Sequence, residues 1–87
     1  MNAVMSTEIE QIIKELKQTQ QLLAEQKLVS TGFLDSFDVI NLIDRLEKRF
    51  QITIGGEDFN LTNFDDIPSI VSLIQKLQEI KTNAAPN

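Results

Sequence analysis

The hydroxyl of Ser36 lies where a helix is expected to begin, between two carboxylates. The residues around it run, in order, Gly32-Phe33-Leu34-Asp35-Ser36-Phe37-Asp38, and a long helical pattern follows them. A serine at the start of a helix lies at the positive end of the helix dipole, beside backbone N–H groups that have no acceptor within the helix. A phosphate joined to that hydroxyl would be stabilised there. The position therefore suits attachment of a phosphate-containing group.

A simpler interpretation is that Ser36 serves only as the N-cap of the helix. Serine and aspartate are both preferred at that position, so either Asp35 or Ser36 fits the pattern. In this interpretation the protein is an unmodified helical module that binds a partner through Phe37 and Ile40. The two interpretations predict the same helix and differ in the chemistry of one side chain.

The two aspartates, Asp35 and Asp38, are candidates for general acid–base catalysis or for loose binding of a divalent cation. The sequence around them shows neither a pocket nor a neighbour that would tune a pKa, and two carboxylates without a ligand-rich loop make a poor site for calcium or magnesium. The chain has no histidine and no cysteine, which excludes a serine–histidine triad, a thiolate nucleophile and a cysteine-bound metal. We predict no metal site and no enzymatic activity.

Composition points to one small domain that binds proteins with basic surfaces. The 87 residues include 13 acidic and 8 basic side chains, for a net charge of −5. This balance disfavours nucleic acid and anionic membranes as partners. The N-terminus has neither the basic start nor the apolar run of a signal peptide, and no apolar run reaches transmembrane length. We predict a cytoplasmic monomer without membrane insertion.

The spacing of apolar residues predicts the elements that position Ser36. A first helix is predicted from Thr7, which forms a capping-box pattern with Glu10, to a point between Ala24 and Gln26. Its apolar stripe consists of Ile9, Ile12, Ile13, Leu16 and Leu23. A loop over residues 27–35 then leads to the serine. The apolar residues expected to tuck beneath this loop are Leu28, Val29, Phe33 and Leu34.

The second helix is predicted from Ser36 to Phe50. On a helical wheel its buried stripe spans about 100°. The stripe consists of Val39, Leu42, Ile43, Leu46 and Phe50. Phe37 and Ile40 fall on the opposite side, with Asp44 between them. Two large apolar side chains beside a candidate attachment site indicate a docking surface, with packing under the neighbouring loop as the alternative.

The chain after the second helix is predicted to be extended and then irregular. Ile52 and Ile54 of the extended connector are expected to plug the core, and Phe59 and Leu61 to lie in one or two short helical turns. A last helix is predicted to follow an acidic N-cap at Asp66. Its buried stripe consists of Ile67, Ile70, Val71, Ile74 and Leu77.

Together these elements predict an all-α fold, a small up-and-down bundle of three main helices plus a short irregular helix. The domain is predicted to occupy residues 7–81. The ends, residues 1–6 and 82–87, are predicted to be disordered.

The segment Gly-x-Leu-Asp-Ser-Phe-Asp around Ser36, with the amphipathic helix after it, resembles the attachment site of the acyl carrier protein family. The likeness extends over a preceding helix, a second helix of similar length, an Ile-x-Ile segment and a closing helix. The resemblance implies that a phosphopantetheinyl transferase joins 4′-phosphopantetheine to Ser36. The thiol of that arm would then hold an acyl or aminoacyl cargo as a thioester, and partner enzymes would supply the catalysis.

The charges of the second helix are mixed, unlike the almost wholly acidic second helix of fatty-acid carriers. Its polar residues include Asn41, Asp44, Arg45, Glu47, Lys48 and Arg49. In this respect the chain is similar to stand-alone carriers, D-alanine carrier proteins among them, that serve acyl- or aminoacyl-adenylate ligases and downstream biosynthetic enzymes. The partner-recognition residues that the resemblance implies are Asp35, Phe37, Asp38, Ile40 and Asp44.

Overall fold

The computed structural model describes residues 3–22 and 26–83, except for the side chains of 81–83, and these residues form a helical bundle. The three main helices are α1 (Ala3–Lys17), α2 (Ser36–Phe50) and α3 (Ile67–Asn83). Two short 3₁₀ helices, Gly56–Asp58 and Leu61–Phe64, lie between α2 and α3. The described residues contain no strand. The predicted all-α class, with three main helices and a short irregular element, is confirmed.

One hydrophobic core holds the bundle together, and α1 packs against both α2 and α3. Each helix contributes an apolar stripe, and the loops on both sides of α2 add further side chains. The buried apolar residues are Met5, Ile9, Ile13, Leu28, Leu34, Val39, Leu42, Leu46, Ile52, Phe64, Ile67, Ile70, Leu73, Ile74 and Leu77. Burial of this apolar surface is the main term that favours folding of so small a domain.

The first helix begins at Ala3 rather than at Thr7, so the predicted capping box is wrong. The Thr7 hydroxyl instead donates a hydrogen bond to the Ala3 carbonyl oxygen at 2.9 Å, one turn back in a helix already formed. Residues 3–6, predicted to be disordered, form that first turn, and Met5 is buried. Met5 precedes Ile9 by four residues and therefore continues the apolar stripe of α1.

The first helix also ends earlier than predicted, at Lys17 instead of between Ala24 and Gln26. Gln18 takes a left-handed conformation with φ of 53°. The Thr19 N–H donates to the Lys14 carbonyl at 3.0 Å, the backbone pattern that closes many helix C-termini. Leu23 and Ala24, on which part of the prediction rested, lie outside the described residues.

The second helix has its predicted bounds, and its wheel has the predicted phase. Val39, Leu42 and Leu46 are fully buried, and the other two stripe residues, Ile43 and Phe50, are half-buried. The helix ends where Gln51 turns left-handed with φ of 58°. Its amphipathic pattern therefore fixes which face of α2 contacts α1 and which faces solvent.

The third helix begins directly after Asp66, whose carboxylate accepts the Ser69 N–H at 2.8 Å, so the predicted acidic cap is confirmed.

In the connector between α2 and α3, Ile52 is buried and Ile54 half-buried, as expected. Phe59 and Leu61 lie in or beside the short helices but are nearly half exposed. The fully buried aromatic residue of this region is Phe64, which the sequence pattern did not single out. The last residues of the predicted disordered tail, 84–87, lie outside the described residues.

Candidate functional site

Ser36 is the first residue of α2, and it does not cap the helix. The N-cap is Asp35, whose Oδ1 accepts the Asp38 N–H at 2.9 Å, while Asp38 Oδ2 accepts the Asp35 N–H at 3.1 Å. This reciprocal capping box satisfies the helix start without the serine. The interpretation of Ser36 as an N-cap is therefore wrong. Its side chain is exposed and makes no hydrogen bond to any residue that the structure describes.

The geometry at Ser36 fits a phosphate ester. The capping box uses the N–H groups of Asp35 and Asp38, which leaves those of Ser36 and Phe37 at the positive end of the helix dipole. The hydroxyl is accessible to a second protein, and esterifying it breaks no hydrogen bond with the described part of the chain. A phosphate-linked group can therefore be carried here at little cost to the fold.

The loop before Ser36 is anchored by a buried leucine near each of its ends. Leu28 and Leu34 are buried, and the Leu34 N–H donates to the Leu28 carbonyl at 2.7 Å. Between them Gly32 has φ of 82°, a left-handed conformation that glycine adopts without strain. Val29 and Phe33 pack partly against the core, so the prediction that this loop is tied to the bundle is confirmed.

A lysine of α1 holds the start of α2. Lys17 Nζ lies 2.8 Å from Asp38 Oδ2 and 5.5 Å from the centroid of the Phe33 ring. The hydrogen bond from Lys17, followed by that from the Asp35 N–H, lowers the pKa of the Asp38 carboxyl. Asp38 was predicted as a partner-recognition residue, but its carboxylate already has two partners within the fold.

Of the other predicted recognition residues, Asp35 is the exposed N-cap of α2, and the remaining three lie on the exposed side of the helix. Phe37 is 78% exposed and Ile40 55% exposed, so neither packs under the neighbouring loop. Asp44 is also exposed and forms an ion pair with Lys48 at 3.1 Å. Phe37 and Ile40 therefore present apolar surface next to Ser36, which is the arrangement that the wheel predicted.

The cations of α2 have different surroundings. Arg49 binds Glu8 of α1, with its Nε 3.1 Å from the carboxylate oxygen Oε2, so it braces two helices. Lys48 pairs with Asp44 on the surface. Arg45 is exposed and has no ion pair with a residue in the described ranges. Arg45 and Lys48 are therefore the positive charges that a docking protein would meet.

Two acids outside the predicted site, Asp65 and Asp66, hold the loop that leads to Ser36. Asp65 Oδ1 accepts the Val29 and Ser30 N–H groups, each at 2.8 Å. Asp66 Oδ2 accepts Lys27 Nζ at 2.9 Å. The sequence pattern marked Asp66 only as a helix cap and gave no role to Asp65, because the loop residues that these two acids bind lie more than thirty residues away.

These contacts lower the pKa of both acids. Hydrogen bonds from the Ser30 and Val29 N–H groups lower the pKa of the Asp65 carboxyl. The hydrogen bond from Ser69, followed by that from Lys27, lowers the pKa of the Asp66 carboxyl to about 2. The folded protein therefore favours the ionised form of both carboxylates more strongly than the unfolded chain does.

Acid should destabilise the protein partly through Asp66. A carboxyl with a lowered folded pKa contributes stability that is present above its unfolded pKa, about 3.9, and is lost as pH falls through the folded value. For Asp66 that window runs from about pH 4 to about pH 2. Asp66→Asn should be less stable than wild type at neutral pH and should lose less stability across the window. Denaturant unfolding at steps of pH measures both.

The matched control is Asp44→Asn, which removes the same charge from an exposed ion pair. Exposed pairs contribute little to stability, so this variant should follow the wild-type acid profile. An Asp66→Asn variant that loses as much stability between about pH 4 and about pH 2 as wild type does would contradict the role given to Asp66.

The described residues contain no group of three or more acidic side chains placed to bind a metal ion. No helix in the described parts of the chain is both long and apolar enough to cross a membrane.

Comparison with known proteins finds a family profile and curated relatives that match this chain. A family profile described as "Phosphopantetheine attachment site" matches residues 7–77. D-alanyl carrier proteins from two strains of Lactobacillus delbrueckii subsp. bulgaricus are 27% identical over 55 residues, which cover 63% of this chain and 69% of each relative.

A solved structure shares the fold. It is the crystal structure of the Bradyrhizobium japonicum glycine:[carrier protein] ligase complexed with its cognate carrier protein and an analogue of glycyl adenylate. The matched chain superposes with a TM-score of 0.72 at 25% identity, over 84% of this chain and 97% of that one. Because this chain covers almost all of the matched chain, that chain is the small carrier rather than the ligase.

Proposed function

The chain belongs to the phosphopantetheine attachment-site family, and we propose that it is an aminoacyl carrier protein with its attachment site at Ser36. Family membership implies a covalently bound 4′-phosphopantetheine. The observation that carries the choice of residue is the exposed Ser36 hydroxyl, which begins α2 but takes no part in its capping box.

The chain supplies the nucleophile for its own modification and leaves the activation to a transferase. Ser36 Oγ attacks the phosphorus of coenzyme A that carries the pantetheine, and a new O–P bond replaces the pyrophosphate bond. Adenosine 3′,5′-bisphosphate leaves with the electron pair of that bond, and the hydroxyl proton passes to a base of the transferase. The chain contains no histidine to act as that base. The bound arm supplies a thiol that holds the cargo as a thioester.

The residues around Ser36 hold it in place without blocking it. Asp35 and Asp38 fix the first turn of α2 through the capping box, and Lys17 ties that turn to α1. Phe37 and Ile40 offer apolar contacts to a protein that approaches the serine. The catalytic groups for loading and using the cargo then belong to partner enzymes, which makes this chain a carrier rather than an enzyme.

We assign the cargo to the amino acids because the names of the curated relatives and of the solved structure all refer to amino acids. The curated relatives are D-alanyl carrier proteins, and the solved structure holds a carrier protein in complex with a glycine:[carrier protein] ligase. The positive charges of Arg45 and Lys48 support the same choice, because fatty-acid enzymes are expected to bind carriers whose second helix presents an uninterrupted acidic surface. A monomeric state and a cytoplasmic location stay predictions.

A loading assay tests the aminoacyl assignment. We expect the phosphopantetheinylated protein to form a thioester with glycine or D-alanine when given ATP and the ligase for that amino acid. We expect fatty-acid enzymes to load it poorly. Lys48→Glu and Arg45→Glu, each made alone, should raise kcat/KM with those enzymes about threefold to tenfold, because each removes a like-charge contact with a basic docking face.

The matched control is Lys14→Glu on α1. Lys14 pairs with Glu10 at a spacing of four residues, as Lys48 does with Asp44, so both variants change the net charge equally and break an equivalent pair. Arg49 is unsuitable because its reversal would also break the brace to Glu8. Loading of wild type by fatty-acid enzymes and by neither ligase would contradict an aminoacyl cargo. Family membership does not depend on this result.

A further inference from the structure

Four consecutive loop residues, Lys27 to Ser30, are each bonded to one of two adjacent acids at the start of α3. The Leu28 N–H donates to the main-chain carbonyl of Asp65 at 2.6 Å. The Val29 and Ser30 N–H groups share Asp65 Oδ1, each at 2.8 Å. Lys27 Nζ binds Asp66 Oδ2 at 2.9 Å. This set of contacts, the loop clamp, fixes the first half of the loop against α3.

The second half of the loop is fixed to the first half, and Ser36 follows at once. The Gly32 N–H donates to the Val29 carbonyl at 3.0 Å, and the Leu34 N–H to the Leu28 carbonyl at 2.7 Å. Leu34 is buried and directly precedes the Asp35 cap. The loop clamp therefore determines the position of the chain from Lys27 to the first residue of α2.

We propose that Asp65 is a positioning residue for the modification of Ser36. This inference rests on the proposed function, since it concerns the reaction that attaches phosphopantetheine to this serine. Ser36 joins this loop to α2, so a transferase that reaches its hydroxyl approaches the end of the loop as well as the first turn of α2. Without the Asp65 carboxylate, two backbone N–H groups lose their acceptor and the loop samples other conformations. Only those molecules whose loop has the conformation that the transferase binds can enter the complex. The apparent affinity of the transferase therefore falls in proportion to the fraction of such molecules.

The proposal predicts a rise in KM without a change in kcat. Removing the acceptor of two hydrogen bonds should reduce the competent fraction about tenfold, which corresponds to about 1.4 kcal/mol. The loss of two such bonds is large enough to supply that difference. Asp65→Ala should therefore raise the KM of a phosphopantetheinyl transferase for this protein about tenfold. Once bound, the loop has the same conformation as in wild type, and the reaction proceeds at the same rate.

The conservative variant provides a rescue. Asp65 uses a single oxygen, Oδ1, for both N–H groups. The amide oxygen of asparagine can accept the same two bonds, so Asp65→Asn should keep KM within about threefold of wild type. A merely electrostatic role for Asp65 would be lost in both variants, whereas a positioning role is lost only in Asp65→Ala.

A matched control separates positioning from general destabilisation. Asp58 is a buried acid that accepts a hydrogen bond from Lys76 of α3 at 3.1 Å, and among the described residues it makes no hydrogen bond to the loop. Asp58→Ala should destabilise the fold while leaving the transferase KM unchanged. Circular dichroism would confirm that each variant is folded at the assay temperature.

Hydrogen exchange tests the clamp without any enzyme. In the unmodified protein the Val29 and Ser30 amide hydrogens should exchange with solvent more slowly than is usual for amides in a loop. Asp65→Ala should speed their exchange about tenfold or more. Asp58→Ala should leave these two amides protected. A fast exchange of both amides in wild type would contradict the clamp directly.

The outcomes distinguish this inference from the proposed function. If wild type takes no phosphopantetheine, the proposed function is wrong. If wild type is modified and folded Asp65→Ala shows the wild-type KM, the positioning role is wrong and the carrier assignment stands. An equal rise of KM in Asp58→Ala and Asp65→Ala would also overturn the positioning role. A rise in Asp65→Ala alone, rescued in Asp65→Asn, is the result that the proposal predicts.

Discussion

Leu46→Ala is expected to lower the free energy of unfolding by about 2–5 kcal/mol. Leu46 is fully buried in the centre of the α2 stripe, in line with Leu42 and Val39, which are also fully buried. Truncation loses the transfer free energy of the side chain and leaves a cavity that a core of only three main helices cannot close. Denaturant unfolding measures the change, and an unchanged slope with denaturant would show that the loss is one of stability alone.

The matched substitution on the opposite face of α2 is Phe37→Ala. Phe37 is larger than Leu46 but 78% exposed, so its removal should change the free energy of unfolding by no more than about 0.5 kcal/mol. It should instead weaken the use of the protein by a partner enzyme, because it takes away apolar surface beside Ser36. Equal destabilisation by the two substitutions would contradict the burial of Leu46 and the exposure of Phe37.

Where the information is local, the sequence predicted this fold well. The bounds of α2, its buried face and its exposed pair Phe37 and Ile40 all follow from an apolar pattern within fifteen residues. The acidic cap at Asp66 is also local, because its partner Ser69 lies three residues on. Such features depend on helix geometry alone and need no knowledge of the tertiary structure.

The ends of α1 were predicted wrongly because two local signals competed. The Thr7 and Glu10 pattern resembles a helix start, but burial of Met5 on the same stripe as Ile9 extends the helix back to Ala3. At the other end, the polar residues after Lys17 add no buried contact to a longer helix. A left-handed Gln18 then ends the helix, with the Thr19 N–H bonded to the Lys14 carbonyl.

The remaining misses depend on contacts between distant parts of the chain. Phe64 is fully buried in a short 3₁₀ helix, where no periodicity marks it. Asp65 reaches back to residues 29 and 30, a pairing that nothing in one sequence reveals. The choice of Asp35 over Ser36 as the cap was open for a different reason, since both residue types are favoured at that position.

Ser36→Ala is expected to abolish attachment of phosphopantetheine and to leave the fold almost unchanged. The serine hydroxyl makes no hydrogen bond within the described ranges, and Asp35 caps the helix. Loss of the hydroxyl should therefore change the free energy of unfolding by no more than about 0.5 kcal/mol. The reaction loses its nucleophile altogether, so no partial activity is expected. The matched control, Ser72→Ala, removes an exposed hydroxyl from α3 and should be modified like wild type.

The most direct test of the carrier assignment is the intact mass of the protein after incubation with coenzyme A and a broad-specificity phosphopantetheinyl transferase. We expect wild type and Ser72→Ala each to gain the mass of one phosphopantetheinyl group, and fragmentation to place it on Ser36. We expect folded Ser36→Ala to gain nothing. A wild-type protein that stays unmodified, or an alanine variant that still takes the group, would contradict the assignment of Ser36 as the attachment site.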